Sequence, residues 1–585
     1  MKDIERRRNS FSTSDPEWFL YNSELRFTKA YKDNPSSLDT KLWQFIYQEN
    51  MRFIQEKDKE DFKEPKWEIM PLRTMKGLDE ITSTILYNRG VTKDVEEFLD
   101  CSLEKIKPEN KGDIEKACRL ILKAINQDIP ITIYGDYDAD GITGTVLAIK
   151  ALERLGARVD YFINSRGSGY AVNESGMREI ASRGIPRLII TVDNGITSYE
   201  AIEFAKKANM VVIITDHHEF NKKPNAHAVI HSKDFDEPLA GVGVVFKLIH
   251  YLYSQLNRDD AFDFLDLVAI GTIADVVPLL GENRILTKHG LEKLNKDPEI
   301  PILALKEVLN LKTIKSKTIG FSIAPVINSA SRVNGTADQV VNLFLEKDLE
   351  RAKLIAKSLQ DINEGRKRLV NEEVEKAEKL ITSLNNIIIL KSDFHKGVMG
   401  IVAGRIKEKY NRPTIILSED EEYLSGSARS VDEFDIKKAL DNCPYIETHG
   451  GHPKAAGLTL KKELFHLFYE NLINQTKSLI IRPPIIKVDG KLEEINILTV
   501  ETIEDLEPYG EGFPEPIFVY EYLPDEVKVI NNKHLKLIGD IDCIVWNAYD
   551  KYALKKPSKL LLLGMPKINS YSGYLEFEAQ DFKEG

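Results

Sequence analysis

Gly135-Asp136-Tyr137-Asp138-Ala139-Asp140-Gly141 stands directly behind the run Ile131-Thr132-Ile133-Tyr134. The run is β-branched and aromatic, which suits a short strand, and Gly135 stops it. Similar runs recur at Leu188-Ile189-Ile190-Thr191-Val192 and Val211-Val212-Ile213-Ile214, with helix-like segments between them. Apolar strands alternating with helices predict a parallel, doubly wound α/β sheet. The second and third strands also run into polar residues, Asp193-Asn194-Gly195 and Asp216-His217-His218-Glu219. Groups at the C-terminal ends of neighbouring parallel strands converge in the crevice where such sheets bind ligands.

Three carboxylates alternating in one short loop repel one another, and a divalent cation is the usual compensation. The plainer readings are a solvated acidic turn or an isolated calcium loop, but no glutamate closes this loop as an EF-hand requires. A lone Asp before Gly is more often a turn residue than a ligand, and adjacent histidines on a loop can be incidental. Three such groups at strand ends of one sheet make coincidence a weak account. Asp275, in Gly271-Thr272-Ile273-Ala274-Asp275-Val276-Val277-Pro278, sits among apolar neighbours where an unpaired carboxylate is costly. Asp and His donors without cysteine suit Mn²⁺ or Mg²⁺ better than structural zinc. Two such ions about 3.5–4 Å apart clamp a phosphodiester and activate a water. No Ser-His-Asp order, P-loop or Gly-x-Gly-x-x-Gly strand end competes, so metal-assisted hydrolysis is the leading chemistry.

Working outward, residues 1–63 are polar with weak periodicity and read as an accessory extension, followed by a catalytic α/β domain over 64–347. Residues 348–385 form a connecting helix, without proline and with apolar residues such as Leu354, Leu359, Leu369 and Val374. A second α/β unit over 386–480 opens with Ile387-Ile388-Ile389-Leu390. Beyond Arg482-Pro483-Pro484, short strands such as Val527–Ile530 and Leu535–Ile538 predict a small β domain over 481–585. Its Lys533, His534, Lys536 and Trp546 look exposed. No apolar run approaches the ~18–20 residues of a membrane span, and the first residues lack the apolar core of a secretory signal. Four scattered cysteines form no disulfide or zinc pattern, so a reducing cytoplasm is expected. The net charge of −12 argues mildly against a DNA-coating protein. It does not exclude a nuclease, whose metal site gathers aspartates while a basic groove lies elsewhere.

Taken in order, the Asp-x-Asp run, Asp193, the Asp216-His217-His218 triplet and Asp275 resemble the four motifs of the DHH phosphoesterase superfamily. Gly450-Gly451-His452-Pro453-Lys454-Ala455-Ala456-Gly457 is similar to the glycine-glycine-histidine motif of its partner DHHA1 domain. Further stretches make the chain most similar, from about residue 65 onward, to the RecJ family. They are Leu239–Val244, Ala324–Asn328, Gly426-Ser427-Ala428-Arg429-Ser430 and Glu507-Pro508-Tyr509-Gly510-Glu511-Gly512. The resemblance implies a parallel-sheet DHH domain, a long helix, a smaller α/β DHHA1 domain and a C-terminal OB-like β domain. It implies an exonuclease that degrades single-stranded DNA 5′ to 3′ with two divalent cations, Mn²⁺ or Mg²⁺, in repair and recombination.

Carried over residue by residue, Asp138, Asp140, Asp193, His217 and Asp275 match metal ligands, with Asp193 bridging and Asp136 an additional or supporting group. His218 matches the residue facing the scissile phosphate. Arg166, Tyr170, Arg332, Ser427, Arg429, Gly450, Gly451 and His452 match substrate contacts; for each arginine a surface salt bridge is the plainer role. The loop Asn164–Tyr170 is one residue shorter than usual. Ser331 stands where Gly is usual, His231-Ser232 where Asn-Pro is, and Phe513 where Asn is. The expected partner is single-stranded DNA, with a single-strand-binding protein or a helicase as accessory candidates and a monomer as the expected state. Two alternatives stay open. One is a phosphodiesterase for short oligonucleotides or cyclic dinucleotides, which needs no C-terminal β domain. The other is an inactive scaffold of a replication complex, which would have lost ligands.

Overall fold

The computed structural model describes residues 65–166, 171–555, 557–569 and 572–585. The extension over 1–63 and Tyr170 lie outside them. Strand β1 (Lys66–Ile69) stands apart from the main sheet and is met again below. The first large unit is built on β2 (Ile131–Gly135), β3 (Val159–Ile163), β4 (Arg187–Val192), β5 (Met210–Asp216) and β6 (Ala228–His231). All neighbours run parallel, in the order β3-β2-β4-β5-β6. Strands β2 and β4 are buried throughout, as central strands covered on both faces must be.

The chain leaves β2 for β3 on one side and returns to β4 on the other, so the order reverses between β2 and β4. That is the crevice in which open α/β sheets bind ligands. Register makes the crevice level. Gly135 lies opposite Val192, and Val192 opposite Thr215. The next residue on each strand is Asp136, Asp193 or Asp216, so three carboxylates emerge side by side.

Helices close on this edge: α1 (Ala139–Glu153), α2 (Gly241–Gln255), α3 (Leu265–Ala274) and α4 (Ala324–Val333). The 32-residue helix α5 (Leu349–Leu380) then carries the chain away. Its first half buries Ala352, Ala356 and Leu359 in the core of the first unit, and its second half buries Val370 and Ala377 in that of the next. The expected connecting helix is thus a rod with a foot in each core.

The second unit has β7 (Ile388–Ser392), helix α6 (Met399–Tyr410), β8 (Thr414–Glu419), β9 (Tyr423–Arg429), β10 (Thr448–His452) and β11 (Ala455–Lys461). The sheet order is β10-β11-β9-β8-β7, with Gly450, Gly451 and His452 on an edge strand exposed along its length. In the last part, β12 (Ile485–Val488) pairs parallel with β1. A seven-stranded mixed sheet follows, from Gly490 to Glu584. The two strands read from sequence near 527–530 and 535–538 form an antiparallel hairpin in it. Lys536 is tied to Asp542 at 2.7 Å, so it is less free than its sequence suggested.

The C-terminal sheet is locked to the first unit by a buried cation. Arg284 is 2% exposed and donates to the carbonyls of Leu506 and Pro508 at 2.7 and 3.0 Å. Its guanidinium lies over the rings of Phe98 and Phe513. The Glu507–Gly512 stretch therefore serves as a docking loop, and Leu279 N donates to Glu511 O beside it. Arg284→Ala removes two charge-assisted hydrogen bonds and leaves two carbonyls unpaired, a loss of about 3 kcal/mol. A urea titration of the two proteins measures it; a difference below about 0.5 kcal/mol would deny the junction this role.

Candidate metal centre

Each carboxylate at the crevice is fixed by a different element. Asp138 caps α1, its Oδ1 accepting from the backbone N–H groups of Asp140 and Gly141 at 3.1 Å. The carboxylate of Asp140 turns the other way, accepting from Gly241 N at 2.6 Å and Val242 N at 2.8 Å. These are the first amides of α2, whose positive end favours an anion. The approach needs glycine: a Cβ on Gly241 would meet the Asp193 side chain at 2.5 Å, and one on Gly271 the Thr143 hydroxyl at 2.4 Å. Asn328, on α4, accepts from Ala139 N at 2.8 Å and pins the loop from above.

Asp193 sits at a left-handed φ of 61°, and Val276, next to Asp275, at 60°. For a β-branched valine that conformation is costly, and such residues gather at functional sites. Here they mark both ends of the cluster.

The two histidines divide. Asp216 is buried and accepts from Ile196 N, His217 N, His218 N and His218 Nδ1, the last at 2.8 Å. Burial alone would lower the pKa of His218, but its bond to Asp216 and that charge carry it up to about 9. His218 is therefore a cation at neutral pH. His217 goes the other way, pushed down to about 4 by burial and by the charge of His218. It is a neutral ring with Nε2 3.0 Å from Asp193 Oδ1 and Nδ1 3.6 Å from Asp275 Oδ2.

Three clusters follow: Asp136, Asp138 and Asp193; Asp140, His217 and Asp275; and Asp193 and His217 with the charged His218 beside them. Burial, compounded by neighbouring carboxylates, raises Asp136 and Asp193 well above the usual range, Asp140 to about 7 and Asp275 to about 8. Asp193 Oδ1 and His217 Nε2 are buried and facing, yet neither has a hydrogen-bond partner. Two facing electron-pair donors 3.0 Å apart that form no hydrogen bond with each other fit a shared cation. All six residues expected at a metal site come together here, and His218 borders them.

The expected substrate contacts lie around the rim. Arg166 stacks on the Tyr137 ring at 4.5 Å. Arg332 is lowered to about 10 by burial and then by Arg166, with Arg366 of α5 also near. Arg429 donates to Ser427 Oγ at 3.1 Å and packs on Gly400 at the start of α6. Among the described residues none of Arg166, Arg332 and Arg429 forms a salt bridge, unlike the plainer role considered for them. Gly397 lies against Arg332 so closely that a Cβ there would meet its carbonyl at 2.0 Å. His452 acts electrostatically on His217 from the facing edge strand. Gly450 and Gly451 precede it on that strand.

Sequence reasoning assigned no role to Asp216, whose four donors are visible only in the fold. It also missed the work of His231. That buried ring accepts from Lys233 N and bonds the carbonyl of His218 through Nε2 at 2.9 Å, steadying the loop where an Asn-Pro is usual.

A parallel sheet bearing strand-end carboxylates and a His pair, facing a second α/β unit across a long helix, defines a phosphoesterase of the DHH class. Family models match residues 130–272 (DHH family, N-terminal domain), 380–478 (DHHA1 domain) and 486–581 (RecJ OB domain). The chain is 36% identical over 502 residues to the single-stranded-DNA-specific exonuclease RecJ of Bacillus subtilis, covering 79% of this chain and 62% of that protein. It is 34% identical over 489 residues to its namesake from Haemophilus influenzae, covering 76% and 84%. The crystal structure of Thermus thermophilus RecJ in complex with Mn²⁺ superposes with a TM-score of 0.77 at 28% identity, over 89% of this chain and 80% of that one. The chain belongs to the RecJ family.

The raised carboxylates set a pH response of the metal-free protein. Groups whose folded pKa exceeds the unfolded value near 3.8 take up protons first in the folded state, so stability rises as pH falls. His218 acts in the same sense, its contribution being lost as pH rises through about 9. His217 opposes only below its ordinary value of 6.5. With chelator present, the melting temperature should climb as pH is lowered from 9 to 6.5, and saturating Mn²⁺ should reverse the trend because its ligands must be deprotonated. A flat or falling chelator curve over that window contradicts the assignment.

Proposed function

We propose that this chain hydrolyses single-stranded DNA from its 5′ end to mononucleotides, in DNA repair and recombination. Two divalent cations, Mn²⁺ or Mg²⁺, would be held by Asp136, Asp138, Asp140, Asp193, His217 and Asp275. The observation that carries the reading is the run of three clusters linked through Asp193 and His217, each of which belongs to two of them. When bound, such ions polarise the phosphodiester and make water a competent nucleophile at neutral pH. The relatives named above, and the RecJ structures with Mn²⁺ and Mg²⁺, support the substrate and the ions.

The chain's own groups have separable tasks. His218, charged and braced by Asp216, donates to a phosphate oxygen and stabilises the charge that gathers on the leaving oxygen. Arg166 and Arg332 hold the strand near the cleaved bond with forked donors. Ser427, Arg429 and His452, with the backbone amides near Gly450 and Gly451, receive the terminal phosphate from the opposite face. The C-terminal sheet favours this reading over hydrolysis of cyclic dinucleotides, which requires no such domain. No helix among the described residues is long and apolar enough to cross a membrane. We place the protein in the cytoplasm as a monomer, working beside a single-strand-binding protein or a helicase.

With Mn²⁺, a single strand labelled at its 5′ end should release labelled mononucleotide at once, whereas a 3′-labelled strand shortens stepwise. Asp193→Ala should retain less than about 1% of the rate, since one ligand serves both ions. Retention of a tenth of the activity would refute the bridging role.

Arg429→Ala tests how the end is read. It should lower kcat/KM for 5′-phosphorylated strands about tenfold more than for 5′-hydroxyl strands, the worth of one charge-assisted contact. Equal losses on the two substrates would make Arg429 a structural residue or a grip on an internal phosphate.

A further inference from the structure

The helix that brings Asn328 and Arg332 to the metal centre starts at Ala324, one turn before Asn328. Its N-terminal approach is a single π turn, Ile319–Ile323, and such turns concentrate at functional sites. Ile319 and Ile323 are fully buried, so Phe321 between them points outward, and it is 80% exposed. A Cβ on neighbouring Gly320 would meet nothing within 4 Å, so the ring stands beside open space. Among the described residues no other phenylalanine is so exposed. Packing gives this side chain nothing to do, and a polar residue would serve solubility better.

The same segment reaches the C-terminal sheet. One turn before Phe321, Lys317 pairs with Glu515 at 3.3 Å. It also acts with Lys567 and the Trp546 indole to hold Glu578 below the usual carboxylate range despite burial. Trp546 Nε1 donates to Glu578 at 2.7 Å, and His534 packs edge-on against the indole at 4.8 Å. The indole is therefore fixed, yet 40% exposed. An exposed phenyl and a braced indole thus stand near the Lys317 contacts, where the approach to α4 meets the C-terminal sheet.

We propose that Phe321 and Trp546 form a base-stacking track for the incoming strand; this rests on the reading under Proposed function and adds where the bases are held. Every base has a π face, and stacking on an aromatic ring is tolerant of sequence. Charge favours bases over phosphates here, because Glu515 and Glu578 line the contact and the lysines nearby, Lys317, Lys536 and Lys567, are already paired. Eleven residues of helix separate Phe321 from Arg332, about 16 Å. That is the length of about five stacked nucleotides at 3.4 Å each, fewer if the strand is extended. The track therefore engages only substrates longer than a few nucleotides.

The test compares kcat/KM, with Mn²⁺, on three 5′-phosphorylated strands: a 12-mer, the same 12-mer with abasic sites from the fourth to the eighth position, and a dinucleotide. Wild type should favour the intact over the abasic 12-mer by about tenfold, the effect of one to two stacked bases. Phe321→Ala should lose most of that preference through its effect on the intact strand and leave the dinucleotide unchanged. Phe321→Trp should keep the preference, which separates stacking from misfolding, and Trp546→Ala should lose part of it. If wild type hydrolyses none of the three, the functional reading falls and the track with it. If wild type cleaves them but Phe321→Ala keeps the full preference, or loses rate equally on all three, the track alone is overturned.

Discussion

Mutual repulsion among buried carboxylates is the constraint around which the first unit is arranged. Asp136, Asp140 and Asp193 are each 2% exposed, and Asp138 and Asp275 press on them from the rim. Without compensation such a cluster would protonate or pull the strand ends apart. The fold answers with oriented amides, two from the start of α2 onto Asp140 and two within the α1 cap onto Asp138. Glycines at 241 and 271 let helices come that close, and left-handed backbone at Asp193 and Val276 aims the last groups inward. The donors left over, Asp193 Oδ1 and His217 Nε2, face each other without a hydrogen-bond partner, as ligands of a shared cation would.

The remaining architecture follows from what an anionic pocket needs in order to accept an anionic substrate. Positive charge has to arrive from elsewhere, and among the described residues it comes from arginines that form no salt bridge: Arg166 and Arg332 on the first unit, Arg366 on the helix, Arg429 on the second unit. The rod α5 fixes the distance between the two sides because each half is anchored in a different core. Arg284 and the Glu507–Gly512 loop fix the C-terminal sheet against the first unit. The strand's path is thereby set by rigid elements, as a site that must hold reacting groups within a fraction of an ångström requires.

Much of this was legible in the sequence because the decisive residues are local. The strands at 131–135, 187–192 and 210–216 announce themselves by β-branched runs, and their ligands follow immediately in the chain. Asp275 was legible through its apolar setting, and the long helix through its period. What could not be read depends on contacts between distant segments. Asp216 stands in the sequence only as the first letter of a triplet, and its part is seen once four donors, one from as far back as Ile196, converge on it. Lys536 reads as a free cation until Asp542 is found beside it. Phe321 carries no mark in the sequence, and only its 80% exposure sets it apart.

The central claim is that one cluster holds two cations through a shared aspartate. Calorimetric titration of the chelator-treated full-length protein with Mn²⁺, paired with anomalous diffraction from the same preparation, measures it directly. The account predicts two ions per chain, one on the side of Asp136 and Asp138 and one on the side of Asp140 and Asp275, with Asp193 touching both. A single ion, or two ions of which neither contacts Asp193, would contradict it.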